Sequence, residues 1–246
     1  MNSNAAIDAA SAQCVDTVRT QGYCFVHASE MRAALASVGG LGDWSAFLQS
    51  WDALAPDTYL AQTGRYRRRR HAVFSASADG SVAREPHQPH YQSRTYNALQ
   101  GDLERWFEPV TEAVATGACL TTILRYSVRF FGVLAPEVAR WRVEVHQFRI
   151  SAHPDAAGEP TPEGVHRDGV DYVLVLMVDR RNIASGTTTI HEADGTLLGS
   201  FTLVDAFDAA LVDDARVFHG VTPVTVLDPG FPSHRDVLVV TLKRAG

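Results

Sequence analysis

The stretch Gly164-Val165-His166-Arg167-Asp168-Gly169 holds the first residues of this sequence that could do chemistry together. On extended backbone, side chains repeat with a period of two, so His166 and Asp168 point to the same side. One imidazole nitrogen and one carboxylate oxygen can then reach a single metal ion. Two ligands do not hold a catalytic ion, and His219, in Arg216-Val217-Phe218-His219-Gly220-Val221, is the best downstream candidate for a third. Two imidazoles and one carboxylate on one face of a metal leave the other positions open for substrate and O2. Taken singly, His219 also fits a core histidine bonded to backbone, and Asp168 a turn residue. Arg235 changes that balance. It opens the apolar run Val237-Leu238-Val239-Val240. A charge entering a barrel near a metal needs an anionic partner, because burying it unpaired is costly.

Strands must hold these residues. From Trp141 onward the hydrophobic pattern alternates. Residues 141–150 read as a strand, and the Gly/Pro-containing segment 155–162 delivers the chain to His166. The apolar run 170–178 fits a strand buried on both faces. Further strands are expected at 186–191, 196–203, 206–212, 215–221 and 235–243, with Asp194-Gly195 as a hairpin turn. With the short piece before His166 this makes about eight strands, enough for a small barrel or a two-sheet jelly roll.

The N-terminal part reads differently. Helical periodicity covers 5–20 and ends at Gly22, and 23–26 reads as a short strand. Helical pattern returns from Glu30, capped by Ser29, then at 43–50 and 102–115, the last despite Pro109; 121–131 is also helical in pattern. The expected organisation is a helical part, 1–117, packed on a β core, 118–246, as one domain. The run Arg65-Tyr66-Arg67-Arg68-Arg69-Arg70-His71 leads into a strand, so alternate arginines face opposite sides. Most of the run is expected to be solvated or salt-bridged, and one or two arginines could clamp a substrate carboxylate. Pro86-His87-Gln88-Pro89-His90-Tyr91 reads as a loop over the pocket mouth, with no carboxylate or thiol beside its histidines to make a second metal site.

The bulk properties are those of a globular protein. The chain has 246 residues, 46% of them apolar, and a formal net charge of -6, which gives no reason to expect nucleic acid or an anionic membrane as partner. No secretory signal pattern or membrane-length apolar run is present. Cys14, Cys24 and Cys119 are odd in number and lack CxxC spacing, so free thiols in a reducing, cytoplasmic setting are expected.

With His166, Asp168, His219 and Arg235 in place, the C-terminal half resembles the Fe(II)/2-oxoglutarate-dependent dioxygenases. His146-Gln147-Phe148-Arg149-Ile150, His166-Arg167-Asp168-Gly169 and Asp213-Asp214 ahead of His219-Gly220-Val221-Thr222-Pro223 resemble a bacterial branch of that family. The branch includes L-isoleucine 4-hydroxylases and biofilm- and stress-linked relatives. The likeness covers roughly 141–244, with a looser match at Arg65 to His71 and Gln92 to Asn97. It implies a double-stranded β-helix, Fe(II) on His166, Asp168 and His219, 2-oxoglutarate chelated to the iron with its far carboxylate on Arg235, and O2 as oxidant. It also implies hydroxylation of an aliphatic C–H of a small substrate, most closely a free L-amino acid such as isoleucine, leucine or methionine. Related halogenases have a small residue where Asp168 stands, so hydroxylation is expected.

A free amino acid needs a cation for its carboxylate and an acceptor for its ammonium. Gln147, Arg149, Arg68 and Arg70 are the candidates, Gln147 also as a cofactor contact. Alternation puts Gln147 and Arg149 on one face and His146 on the other, without saying which face is inward. Two rival readings stand beside this one. A cupin-like metalloenzyme without 2-oxoglutarate would give Arg235 no role, and a non-catalytic sensor would bind metal and 2-oxoglutarate without substrate turnover. The sequence does not specify oligomeric state.

Overall fold

The computed structural model describes residues 9–61, 67–97, 99 and 101–245. Its helices are α1 (Ala9–Gln21), α2 (Ala28–Val38), α3 (Trp44–Gln49), α4 (Thr58–Ala61), α5 (Glu112–Ala115) and α6 (Ala118–Leu134). The strands before α6 are β1 (Tyr23–Val26), β2 (Ala55–Pro56), β3 (Arg68–Ser77) and β4 (Val82–Arg84). After α6 come β5 (Arg140–Ser151), β6 (Tyr172–Arg181), β7 (Ile183–Ser185), β8 (Thr187–His191) and β9 (Leu197–Thr202). The last are β10 (Ala209–Asp213), β11 (Phe218–Val221), β12 (Val224–Val226) and β13 (His234–Arg244).

The large sheet runs β1-β10-β6-β13-β5-β3-β2, with β4 on β3, and its pairings are antiparallel. Smaller sheets, β11-β8-β9 and β12-β7, complete the roll. In β6, Leu174, Leu176 and Val178 pack in the helix-covered core, whereas Val173 and Val175 line the cavity side. β13 repeats the pattern, with Leu238, Val240 and Leu242 outward under the helices and Val237 and Val239 inward. Helix α6 closes the outer face with Leu120, Ile123, Leu124, Phe130 and Phe131, all buried. A period of two in the strands and a wide apolar stripe in the helix thus produce one helix-backed sheet with a lined interior.

Several expectations need correction. Residues 1–117 hold more strand than the helical part expected of them: besides the expected strands at β1 and β3, β2 and β4 also join the large sheet. The longest helix, α6, starts at Ala118, inside the part expected to be the β core. The expected helix at 102–115 shrinks to α5. Pro109 cannot donate a helical hydrogen bond, and the neighbouring backbone pairs with β3 instead, His71 N–H donating to Glu108 O and Val110 N–H to His71 O. Phe107, Val110 and Val114 are still buried, but Leu103 is exposed. Ser29 does not cap α2; a distant residue does, the Ala28 N–H donating to Asp208 Oδ1 at 2.9 Å. Cys14 and Cys24 form a disulfide between α1 and β1, their Cα atoms 5.8 Å apart, and only Cys119 among the cysteines is free. The turn at Gly22 brings the pair together, which spacing alone did not signal. Among the described residues no helix is long and apolar enough to cross a membrane.

Candidate active site

The cavity between the sheets measures about 910 Å³. His166 enters it from the loop before β6 and His219 from β11, and the two backbones bond to each other in both directions at 2.9 Å. This pairing sets their rings side by side, centroids 4.7 Å apart. Asp168 completes the group, with Oδ1 3.5 Å from His166 Nε2 and Oδ2 3.8 Å from His219 Nε2. Each of the three residues offers a ligand atom within 4.8 Å of the others. His166 Nδ1 lies 2.9 Å from Gly164 O, which can only accept, so Nδ1 carries a proton. Without a metal, burial is outweighed by Asp168, which raises the ring to about 9, and a metal binding at Nε2 would displace the second proton. Burial holds His219 at a pKa of about 4, so its imidazole is neutral, as a ligand must be.

Asp214, just after β10, holds this geometry. Its side chain is buried and accepts from the N–H groups of Asp168 (2.9 Å), Gly169 (2.8 Å) and Val170 (3.1 Å). The same carboxylate lies 3.7 Å from His219 Nδ1, which has no hydrogen-bond partner among the described residues. Burial, followed by the charge of Asp168, raises Asp214 to about 7. Gly169 turns the loop at φ +82°, and a Cβ there would run into the Tyr96 ring.

Arg235 points inward from the start of β13 and is 3% exposed. Among the described residues it has no carboxylate or hydrogen-bond partner, and its Nε is unsatisfied. Burial, with a smaller contribution from Arg180, lowers it to about 10. A buried, unpaired guanidinium in the cavity of a two-histidine, one-carboxylate cluster fits an anion that arrives with the metal. Fe(II) and 2-oxoglutarate therefore suit the residues present.

The other candidates turn away. Gln147 Nε2 donates to Ser50 Oγ on the outer face of β5, not into the cavity. Arg149 is paired with Asp236 (2.6 and 2.8 Å) and Asp52 (2.9 Å) on that same face. Arg68 and Arg70, opposite Arg149 and Gln147 in register, donate to the carbonyls of Leu54, Ala53 and Pro109. The inward residues are the alternate ones, Arg67 just before β3, Arg69 on it, and Glu144, His146 and Phe148 on β5. Strand period relates these residues to each other but does not identify the inward face. Arg65 lies outside the described residues.

The fold also supplies the carboxylate that the loop around His87 and His90 lacks. Glu144 Oε2 accepts from His71 Nε2 at 2.9 Å and His90 Nδ1 at 2.7 Å. Arg69 Nη2 lies 2.6 Å from His146 Nδ1, and its guanidinium sits 3.6 Å from the Phe107 ring centroid and 4.6 Å from that of Phe148. The repeated spacings Arg69-x-His71 and Glu144-x-His146 were the available sequence signal.

Fold and site together define a non-haem iron oxygenase, and the chain belongs to the 2OG-Fe dioxygenase family, whose model matches residues 48–241. The structure of a bsmA homologue from Methylobium petroleophilum PM1 is 36% identical and superposes with a TM-score of 0.84, covering 96% of this chain and 94% of that one. The 3(1)-hydroxy-L-isoleucine 4-dioxygenase of Pantoea ananatis (strain AJ13355) is 23% identical over 91% of this chain and 92% of its own length. The structure of IDO from Bacillus thuringiensis, at 15% identity, shares the fold with a TM-score of 0.77, covering 96% of this chain and all (100%) of that one. The core is thus the double-stranded β-helix of 2-oxoglutarate oxygenases.

Proposed function

We propose that this family member hydroxylates an aliphatic C–H of a free L-amino acid such as isoleucine, leucine or methionine. His166, Asp168 and His219 hold Fe(II), and Arg235 pairs with the far carboxylate of 2-oxoglutarate. Bound together, iron and 2-oxoglutarate supply O2 activation coupled to decarboxylation to succinate, and oxygen insertion into an unactivated C–H. The chain's own work is positional. Asp214 fixes the backbone that carries Asp168, and Gly164 O sets the tautomer of His166. Val173, Val175, Val237 and Val239 give an apolar interior that keeps water from the reacting carbon.

The observation that carries the reading is Arg235, a buried cation with no partner among the described residues, facing the same cavity as the triad. A cupin-type enzyme without 2-oxoglutarate would leave that charge unexplained. The distant relative acting on a hydroxylated isoleucine supports the amino-acid assignment. The test is aerobic turnover with Fe(II), 2-oxoglutarate and a panel of free L-amino acids, following succinate and oxygenated product together. Succinate that rises with one amino acid, in step with its hydroxylated product, is expected. Succinate formation indifferent to every member of the panel would overturn the substrate class.

A further inference from the structure

The cluster of His71, His90, Glu144 and His146 is buried in the cavity wall, and the iron chemistry above does not use it. Its hydrogen bonds fix its protons. A guanidinium only donates, so His146 Nδ1 accepts from Arg69 and the neutral ring carries its proton on Nε2. A carboxylate only accepts, so His90 Nδ1 carries the proton shared with Glu144, and His90 Nε2 is a bare acceptor. That Nε2 has no hydrogen-bond partner among the described residues. Burial, then the charge of Arg69, holds His146 far below its usual pKa, and burial lowers His90, so both rings are neutral.

Charge is separated across the wall. On one side are Arg67 and Arg69, with Asp57 as their carboxylate, 2.9 Å from Arg67 and 3.7 Å from Arg69. On the other is Glu144, whose Oε1 accepts from Arg142 Nε at 3.1 Å and whose Oε2 lies 3.9 Å from His146 Nε2. One imidazole ring and two contacts thus separate the Arg69 guanidinium from the Glu144 carboxylate. That is about the span of a carboxylate–Cα–ammonium head with a hydrogen bond at each end. The wall adjoins the triad, since Gln92, two residues after His90, donates to Asp168 O at 3.2 Å.

We infer that Arg69, His146, Glu144 and His90 form the site that reads the substrate's head group, and that it takes a zwitterion. The carboxylate meets Arg69 and His146 Nε2–H, and the ammonium meets Glu144 and the bare Nε2 of His90. This rests on the free amino-acid reading above and sharpens it: an amino acid held in amide linkage, as in a peptide, lacks the ammonium, the carboxylate or both, and is rejected. The three imidazoles and the carboxylate also resemble a second metal site. Ligation through His146 Nε2 would require that ring to lose its only proton while still accepting from Arg69, so the hydrogen-bonded role is favoured.

The test uses the full chain loaded anaerobically with Fe(II) and 2-oxoglutarate. Free isoleucine, leucine and methionine are titrated against the visible spectrum of that complex. The amino acid that perturbs the spectrum is then compared with its N-acetyl and its carboxamide derivatives. Each derivative should bind about 10-fold to 100-fold more weakly, the loss of one charged hydrogen bond. E144Q should weaken the parent amino acid by a similar factor while leaving the N-acetyl derivative unchanged, with the substrate-free spectrum intact and a single iron per chain. Derivatives that bind as well as the parent would overturn the inference and leave the amino-acid reading standing. So would a second metal per chain that disappears in H146Q. A spectrum that no free amino acid perturbs would remove the amino-acid reading, and the inference with it.

Discussion

Replacing Arg235 with methionine should make the ligand-free protein more stable and nearly blind to 2-oxoglutarate. The guanidinium is charged at pH 7 in both folded and unfolded chains, but burial and Arg180 lower its folded pKa from 12.5 to about 10. That depression costs the folded state about 3 kcal/mol. The cost is fully present below pH 10 and is relieved only as the pH rises toward 12.5. Methionine keeps much of the length and packing without the charge, so a net gain of about 1–3 kcal/mol is expected. For a chain of this size each kcal/mol raises Tm by about 2–4 °C. In the native protein, 2-oxoglutarate at a hundred times its Kd should add about 2.7 kcal/mol, and in Arg235→Met that increment should disappear. The assay is anaerobic thermal unfolding with Fe(II), with and without 2-oxoglutarate, beside the KM for 2-oxoglutarate. A variant that is less stable without 2-oxoglutarate, or that keeps the ligand-induced gain, would refute the reasoning.

Asp214→Asn keeps the shape but loses the charge facing His219 and the three N–H donors, and should weaken Fe(II) binding about 10-fold to 100-fold in an anaerobic metal titration; undiminished affinity in a folded variant would remove Asp214 from this role. Arg149→Ala removes the two-hydrogen-bond partner of buried Asp236, leaving it only His234 at 3.6 Å, and should cost about 3 kcal/mol in urea unfolding. The KM values for substrate and 2-oxoglutarate should stay as they are, because the side chain faces away from the cavity. His71 has a folded pKa lowered, chiefly by burial, to about 4 from an ordinary 6.5. The unfolded chain therefore binds the extra proton between those values, and stability should fall by about 2 kcal/mol between pH 7 and pH 5 on its account. His71→Gln should flatten that part of the acid limb, and an unchanged slope would contradict the assignment.

That His166, Asp168, His219 and Arg235 share one cavity was legible from residue type and spacing, His219 and Arg235 lying near the starts of β11 and β13 and His166 and Asp168 in the loop before β6. The outward turn of Gln147, Arg149, Arg68 and Arg70 was not. Alternation groups them correctly, but which side of β5 is inward depends on where the 50–53 turn and its Ser50 and Asp52 pack. The polar wall was hidden for a related reason: His90, Glu144 and Arg69 are far apart in the chain and meet only through the β3–β5 pairing and the loop above it. The helix expected at 102–115 failed because local periodicity could not reveal that backbone beside Pro109 is taken up by His71. The disulfide likewise depends on the α1–β1 turn and not on spacing.

The central claim is that His166, Asp168 and His219 hold an iron to which 2-oxoglutarate chelates. The visible spectrum of the protein reconstituted anaerobically with Fe(II) and 2-oxoglutarate tests it most directly. A weak charge-transfer band is predicted that needs both additions and is absent from a folded His219→Ala variant. Folded, iron-loaded protein that shows no band with 2-oxoglutarate, or a band that survives loss of His219, would contradict it.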